Sequence, residues 1–406
     1  MITTEQTRTS AAAPGSLFGA LERQPADALL RLIGLYRQDQ RPHKIDLGVG
    51  VYRNDAGETP VMRAIKAAEH RLADTQATKA YLGPEGDERF VELLAPIVFG
   101  SVKAADPCLT GVQTPGGTGA LRLGAELVAR GAGRPTVWIG TPTWPNHAPI
   151  FREAGLAVRS HPFFDPATGT IDFAAMIAAL DQAKVGDVVL LHGCCHNPTG
   201  AELTQAQWTD LITLLTERRL IPFVDLAYQG LGRGLDADAA TTRALLEAVP
   251  EAIVAYSCDK NFGLYRDRVG ALWVKAADDG RTAAVRDNLL VLARSLWSMP
   301  PDHGAAAVRE ILEDGVLEAA WKDELEEMRT RIAGLRAELA RAEPRLAALA
   351  DQGGMFAMLP LSREAVLALR TDHGIYMADS GRINIAGLRS ETIAGFVAAI
   401  AAHLQR

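Results

Sequence analysis

Cysteine is scarce in this chain, with four in 406 residues (Cys108, Cys194, Cys195, Cys258). That is too few for a disulfide framework and points to a reducing, cytoplasmic setting. Long apolar runs are missing too: none approaches the ~20 residues that a membrane span needs. The first fifteen residues lack the apolar stretch of a signal peptide and the arginines of a transit peptide, and are expected to form a disordered tail. Basic charge is not concentrated anywhere. With a formal net charge of −7 and dispersed Lys and Arg, nucleic acid is excluded as a partner. Several short signatures are incomplete as well. The glycine-rich stretch Gln113–Gly119 has Arg122 where a dinucleotide fingerprint needs its third glycine, and it is not a P-loop. Ser257-x-x-Lys260 is not followed by the Ser-Asp-Asn and Lys-Thr-Gly of serine β-lactamases.

What remains is a composition of 48% hydrophobic and 22% charged residues, ordinary for a globular chain with a large core and two domains. Short continuous apolar runs alternate with helical stretches: Thr136–Ile139, Asp187–His192, Pro222–Asp225 and Ala252–Tyr256. Runs of this kind are strands covered on both faces, so the fold class is α/β with a mostly parallel sheet. Ile45–Tyr52 reads as a further strand interrupted by Gly48 and Gly50. Leu29, Leu30, Leu32, Ile33 and Tyr36 predict a helix after Pro25-Ala-Asp27, and residues 315 to 341 predict a long amphipathic helix ended by Pro344. The C-terminal part, with a helix at 362 to 370 and a strand at 382 to 385, reads as α+β.

Open α/β sheets bind ligands at the carboxyl ends of their strands, and here those ends carry chemistry. Trp144, Asn146 and His147 follow one strand, Asn197 the next, Asp225 and Tyr228 the third, and Ser257 and Lys260 the fourth. A lysine in a partly desolvated position has its ammonium form disfavoured, which frees the amine as a nucleophile or proton carrier. Arg268 suits a phosphate met by two parallel hydrogen bonds, and Gly117 and Thr118 open a helix whose free N–H groups favour an anion. Arg382 is a second anion-binding candidate. The cluster His192, Cys194, Cys195 and His196 fits no zinc spacing, and adjacent cysteines are not expected to point at one ion.

Taken together, Gly117-Thr-Gly, Trp144-Pro-Asn-His, His196-Asn-Pro-Thr-Gly, Asp225-Leu-Ala-Tyr-Gln-Gly, Ser257-x-x-Lys-Asn-x-Gly-Leu-Tyr and Ser380-Gly-Arg-Ile-Asn-Ile-Ala-Gly resemble the class I aminotransferases, most of all their aspartate and aromatic subgroup. The resemblance implies the type I fold of pyridoxal-phosphate transferases. It divides the chain into a tail (1–15), an N-terminal dimer arm (16–26), a small domain made from both chain ends (27–59 and 326–406) and a large cofactor domain (60–325). It also implies a homodimer with shared active sites. By the same resemblance Lys260 holds pyridoxal 5'-phosphate covalently and moves the substrate proton. Asp225 pairs with the pyridine nitrogen, and His147 orients it. Tyr228 and Asn197 meet the phenolic oxygen, and Trp144 stacks on the ring. Gly117, Thr118, Ser257, Arg268 and the partner's Tyr81 hold the phosphate. Arg382 takes the substrate α-carboxylate, the partner's Arg294 takes a distal carboxylate, and Gly50 closes over the substrate.

Departures from the family pattern bear on specificity. Met299, Trp297 and Met358 stand where Asn, Tyr and Phe are common, and losing a polar amide from the pocket wall favours an apolar side chain. The expected reaction is transfer of the amino group of tyrosine, phenylalanine or tryptophan, and also of aspartate, to 2-oxoglutarate. The alternative is an aspartate aminotransferase with weak aromatic activity. Gly116 stands where the family often has Ser, and Asp259 stands where it has Ala or Ser. The sequence offers no reason for a carboxylate beside the lysine.

Overall fold

The computed structural model describes residues 17–19, 21–24, 28–166 and 168–404. The expected tail at 1–15 and the Pro25-Ala-Asp27 lead into the first helix lie outside the described residues. Of the expected arm, Leu17, Phe18 and Leu21 are exposed apolar side chains.

Seven strands form the central sheet: β1 (Leu109–Pro115), β2 (Thr136–Thr141), β3 (Ala157–Pro162), β4 (Val188–His192), β5 (Ile221–Leu226), β6 (Ala252–Ser257) and β7 (Val269–Lys275). Their order is β1-β7-β6-β5-β4-β2-β3. Neighbours are parallel except β7, which runs antiparallel to both β1 and β6. Successive residues of a strand point to opposite faces, and the core divides accordingly. Val189, Leu191, Val224, Val254, Tyr256 and Trp273 belong to one buried cluster, whereas Val188, Leu190, Phe223, Ile253, Ala255 and Leu272 belong to the other. Cover on both faces makes β2, β4, β5 and β6 readable as apolar runs, whereas β1 carries the buried polar residues Thr110, Gln113 and Thr114 and β3 carries Arg159, Ser160 and His161, so neither stands out as such a run.

The helix Gly116–Arg130 leaves β1 directly and lies against the second cluster. Its close approach depends on Gly124, where a Cβ would come within 2.5 Å of the Phe223 ring.

Around this sheet the two ends of the chain meet. Ile45–Asp46 pairs in parallel with Ile375–Tyr376, and Phe356–Met358 pairs antiparallel with Arg382–Asn384. Helices Arg363–His373 and Ser390–Ile400 accompany them, and helix Gly315–Ala342 runs from the sheet's side to theirs. Ile45–Tyr52 corrects the expectation of one strand, since only Ile45 and Asp46 are in a ladder. The rest leaves the sheet because side chains take its carbonyls: Arg382 Nη2 donates to Gly48 O at 2.8 Å, and Asn384 Nδ2 donates to Val49 O and Val51 O at 2.7 Å each. The strand at 382 to 385 likewise stops at Asn384 and turns into a short 3-10 helix.

Candidate active site

Because β2, β4, β5 and β6 are parallel, their carboxyl ends lie along one edge, and β7 enters the sheet from that edge. A cleft of about 300 Å³ opens there. Its lining includes Gly50, Gly117, Thr118, Trp144, Asn197, Asp225, Tyr228, Ser257, Lys260, Arg268 and Arg382. Eleven of the expected site residues are thus brought together. Tyr81 and Arg294 are not. Tyr81 is 94% exposed and Arg294 is an exposed residue whose Nη1 donates to Ser298 Oγ at 2.6 Å. Within one chain both lie away from the cleft.

Lys260 lies just beyond the end of β6, its Nζ 5.0 Å from the centre of the Tyr228 ring. Burial holds its ammonium below the ordinary lysine range, an effect that Asp259 and Asp225 oppose and Arg268 reinforces. Asp225, on β5, is bonded to His147 Nε2 at 2.9 Å, and His147 Nδ1 accepts from Thr143 Oγ1 at 2.8 Å. Burial alone would raise the Asp225 carboxyl. The His147 hydrogen bond, with the electrostatic influence of His147, His192 and Lys260, wins, and its pKa stays below the usual value. His147 is fully buried and makes an edge contact with Trp144 at 5.2 Å.

Asn197 Nδ2 reaches the Tyr228 hydroxyl at 3.4 Å, while Asn197 Oδ1 is buried without a partner. Burial and the nearby Asp225 push the Tyr228 phenol well up, so it remains protonated at neutral pH. Arg382 lies over the Phe356 ring, 4.7 Å from its centre, with its Nε unpartnered; burial lowers its pKa. At the far end, Gly117 lies against Ser257, where a Cβ would come 3.0 Å from the serine Cβ. Arg268 holds a positive φ of 58° and donates through Nη1 to Tyr265 O at 3.0 Å and to Asp259 Oδ2 at 2.6 Å.

Phe356 and Leu29 also line the cleft, and neither was anticipated there. Leu29 was readable only as part of an amphipathic helix, and Phe356 only as an apolar residue after two glycines. Met358 lines the adjoining cavity of about 670 Å³, which shares Trp144 and Arg382 with the first. Trp297 and Met299 line neither.

The adjacent thiols correct one expectation. Cys195 adopts a positive φ of 51°, and the sulfurs of Cys194 and Cys195 and an oxygen of Asp238 lie within 4.8 Å of one another. Adjacency did not keep the thiols apart. The Asp238 carboxylate is already engaged by the N–H groups of Gly230, Gly232 and Arg233, and both thiols have raised pKa values. The cluster closes the turn at residues 230–233, beside the carboxyl end of β4.

The donor set fits pyridoxal phosphate: an amine in reach, a carboxylate locked by a histidine, an unpartnered amide oxygen, and an arginine beside a helix start.

The pattern of the family "Aminotransferase class I and II" matches residues 42–400. Tyrosine aminotransferase from Rhizobium meliloti is 55% identical over 378 residues, covering 92% of this chain and 97% of that protein. Aspartate aminotransferase from Escherichia coli is 42% identical over 96% of this chain and 100% of its own length. The crystal structure of an aromatic-amino-acid aminotransferase from Burkholderia pseudomallei, covalently bound to pyridoxal phosphate, superposes with a TM-score of 0.93 at 37% identity, covering 96% of this chain and 100% of that one. The fold, the convergence of residues on the sheet edge and these likenesses agree: this chain belongs to the class I and II aminotransferases.

Proposed function

We propose that the protein is a pyridoxal-phosphate aminotransferase that passes the amino group of tyrosine, phenylalanine or tryptophan, and also of aspartate, to 2-oxoglutarate in two half-reactions. The observation that carries this reading is the single cleft in which Lys260, the Asp225–His147 pair and the Gly117–Ser257–Arg268 cup stand together. When bound, pyridoxal phosphate supplies an electron sink for the bond broken at the substrate's Cα. Lys260 would hold the cofactor and would carry the proton at the substrate's Cα; burial suits its amine to that work. Asp225, its direction fixed by His147, would pair with the pyridine nitrogen, Tyr228 and Asn197 would meet the phenolic oxygen, Trp144 would cover the ring, and Gly117, Thr118, Ser257 and Arg268 would hold the phosphate.

Arg382, with an unpartnered Nε above Phe356, pairs with the substrate α-carboxylate, and Gly50 closes over it. At Gly50 a side chain would strike Phe356, since a Cβ would lie 2.7 Å from its Cζ. Tyr81 and Arg294 lie away from the cleft of their own chain, and in this reading they complete the site of a second copy in a homodimer. The large domain spans 60–325, and the small domain spans 27–59 and 326–406. A cytoplasmic enzyme fits the free cysteines.

The tyrosine aminotransferase relative, at 55% identity, supports the aromatic reading. The aspartate aminotransferase relative supports the second one, an enzyme chiefly for aspartate. A visible spectrum of the purified protein before and after phenylalanine, without an acceptor, tests both. The expected result is a near-visible band lost on adding phenylalanine, with kcat/KM for phenylalanine comparable to that for aspartate. A ratio of 100 or more in favour of aspartate would hand the assignment to the second reading.

A further inference from the structure

Asp225 and Asp259 are the acidic groups in the cleft's lining among the described residues, and Asp259 is the one paired with Arg268. It stands between Ser257, whose hydroxyl accepts from the Asp259 N–H at 3.2 Å, and Lys260. Only 7% of its surface is exposed. Its two oxygens have different situations. Oδ2 is bonded to Arg268 Nη1 at 2.6 Å, and Oδ1 is buried with no partner. Oδ1 faces the start of helix Gly116–Arg130: a Cβ built at Gly116 would lie 3.4 Å from it and 2.6 Å from Arg268 Nη2. The carboxylate, the guanidinium and the helix start therefore share one small space. Gly116, at a positive φ of 71°, is the only kind of residue that leaves room for all three.

We propose that Asp259 is a built-in competitor for the phosphate position: it occupies Arg268 in the cofactor-free protein and weakens the hold on the phosphate that enters. This rests on the reading that the cup takes a phosphate. An arginine already paired with a buried carboxylate gives an incoming dianion less net attraction than a free one, and the unpartnered Oδ1 adds repulsion at close range in a sheltered site. The same pair stabilises the empty protein, because removing one partner strands the other charge. Asp259 thus exchanges tight cofactor retention for an empty site that keeps its shape. It also counters the lowering of the neighbouring amine, since it is the largest of the influences that raise Lys260.

The test compares cofactor-free wild type with Asp259→Asn, which keeps the shape without the charge, and Asp259→Ser, which removes both. Pyridoxal phosphate binding is measured by equilibrium titration, and the melting temperature of each empty protein is recorded. Both variants should bind at least about tenfold tighter while melting lower when empty. Inorganic phosphate alone, titrated by thermal shift, should raise the melting temperature of both variants more than that of wild type. Equal or weaker binding of both ligands by the two variants would overturn the proposal and leave Asp259 as a support that aims Arg268 at the phosphate. If wild type takes no pyridoxal phosphate at all, the functional reading fails instead, and the inorganic phosphate series still decides whether Asp259 competes at the cup.

Discussion

At the scale of single residues, Lys260 is held between burial, which favours its neutral amine, and the carboxylates Asp259 and Asp225, which favour the ammonium. That balance suits a group asked to form a bond and then carry a proton. Lys260→Ala should keep cofactor binding, because the phosphate cup and Asp225 are untouched. It should lose the absorbance of the lysine linkage and at least ~10³-fold in turnover, the usual loss when one group serves as nucleophile and base. Single-turnover kinetics of the loaded variant measure this, and retained turnover would remove Lys260 from the mechanism. The pattern of polar residues at strand ends marked Lys260, Asp225, Asn197 and Trp144 as site candidates, and all four line the cleft. The Asp259–Arg268 pair was not legible, because two residues nine positions apart along a loop, with a positive φ at Arg268, leave no periodic trace.

At the scale of elements, helix Gly315–Ala342 does more than cover the sheet. Its Arg336, 2% exposed, donates to the carbonyls of Gly353, Gly354 and Phe356. The guanidinium thereby fixes the turn that leads into strand Phe356–Met358 and so places Phe356 beneath Arg382. Burial lowers its pKa to about 10, so it is charged throughout the physiological range. Arg336→Met keeps the apolar length and strands those carbonyls, which should cost about 3 kcal/mol by the ordinary price of buried unsatisfied groups. Urea unfolding measures that cost, and KM should rise as Phe356 loses its seat; a variant with an unchanged midpoint would show that water replaces the guanidinium without loss. The heptad-like apolar spacing announced the helix, but a charged residue inside the buried stripe gave no sign of its partners. The two- and three-residue strands it helps to seat were equally hidden, since Ile45 pairs with Ile375, a contact no local pattern encodes.

For the molecule as a whole, the buried His161 and His196 and the half-buried His192 link the site to stability. His192 lies against His147 and His196, with ring centres 5.2 and 4.2 Å away, and its Nε2 is sheltered without a partner. Burial, reinforced by His147, lowers its pKa to about 3, and burial also lowers His161 and His196. An imidazole in the unfolded chain titrates near ~6.5. Between that pH and about 3 the unfolded state therefore binds protons that the folded state refuses, so stability present above pH ~6.5 is lost as the pH falls. The depressed Asp225 acts in the same direction, but only below the unfolded carboxyl value, so the histidines dominate the mildly acid range. From pH 7.5 to 5.5, His192 alone should remove about 1.4 kcal/mol from the unfolding free energy. Urea unfolding at the two pH values should show the loss, and His192→Gln should reduce it by about one histidine's share. The substitution removes the titrating ring while keeping a polar side chain, so any general acid sensitivity of the fold would persist in the variant. An equal loss in wild type and variant would therefore place the acid sensitivity elsewhere in the molecule.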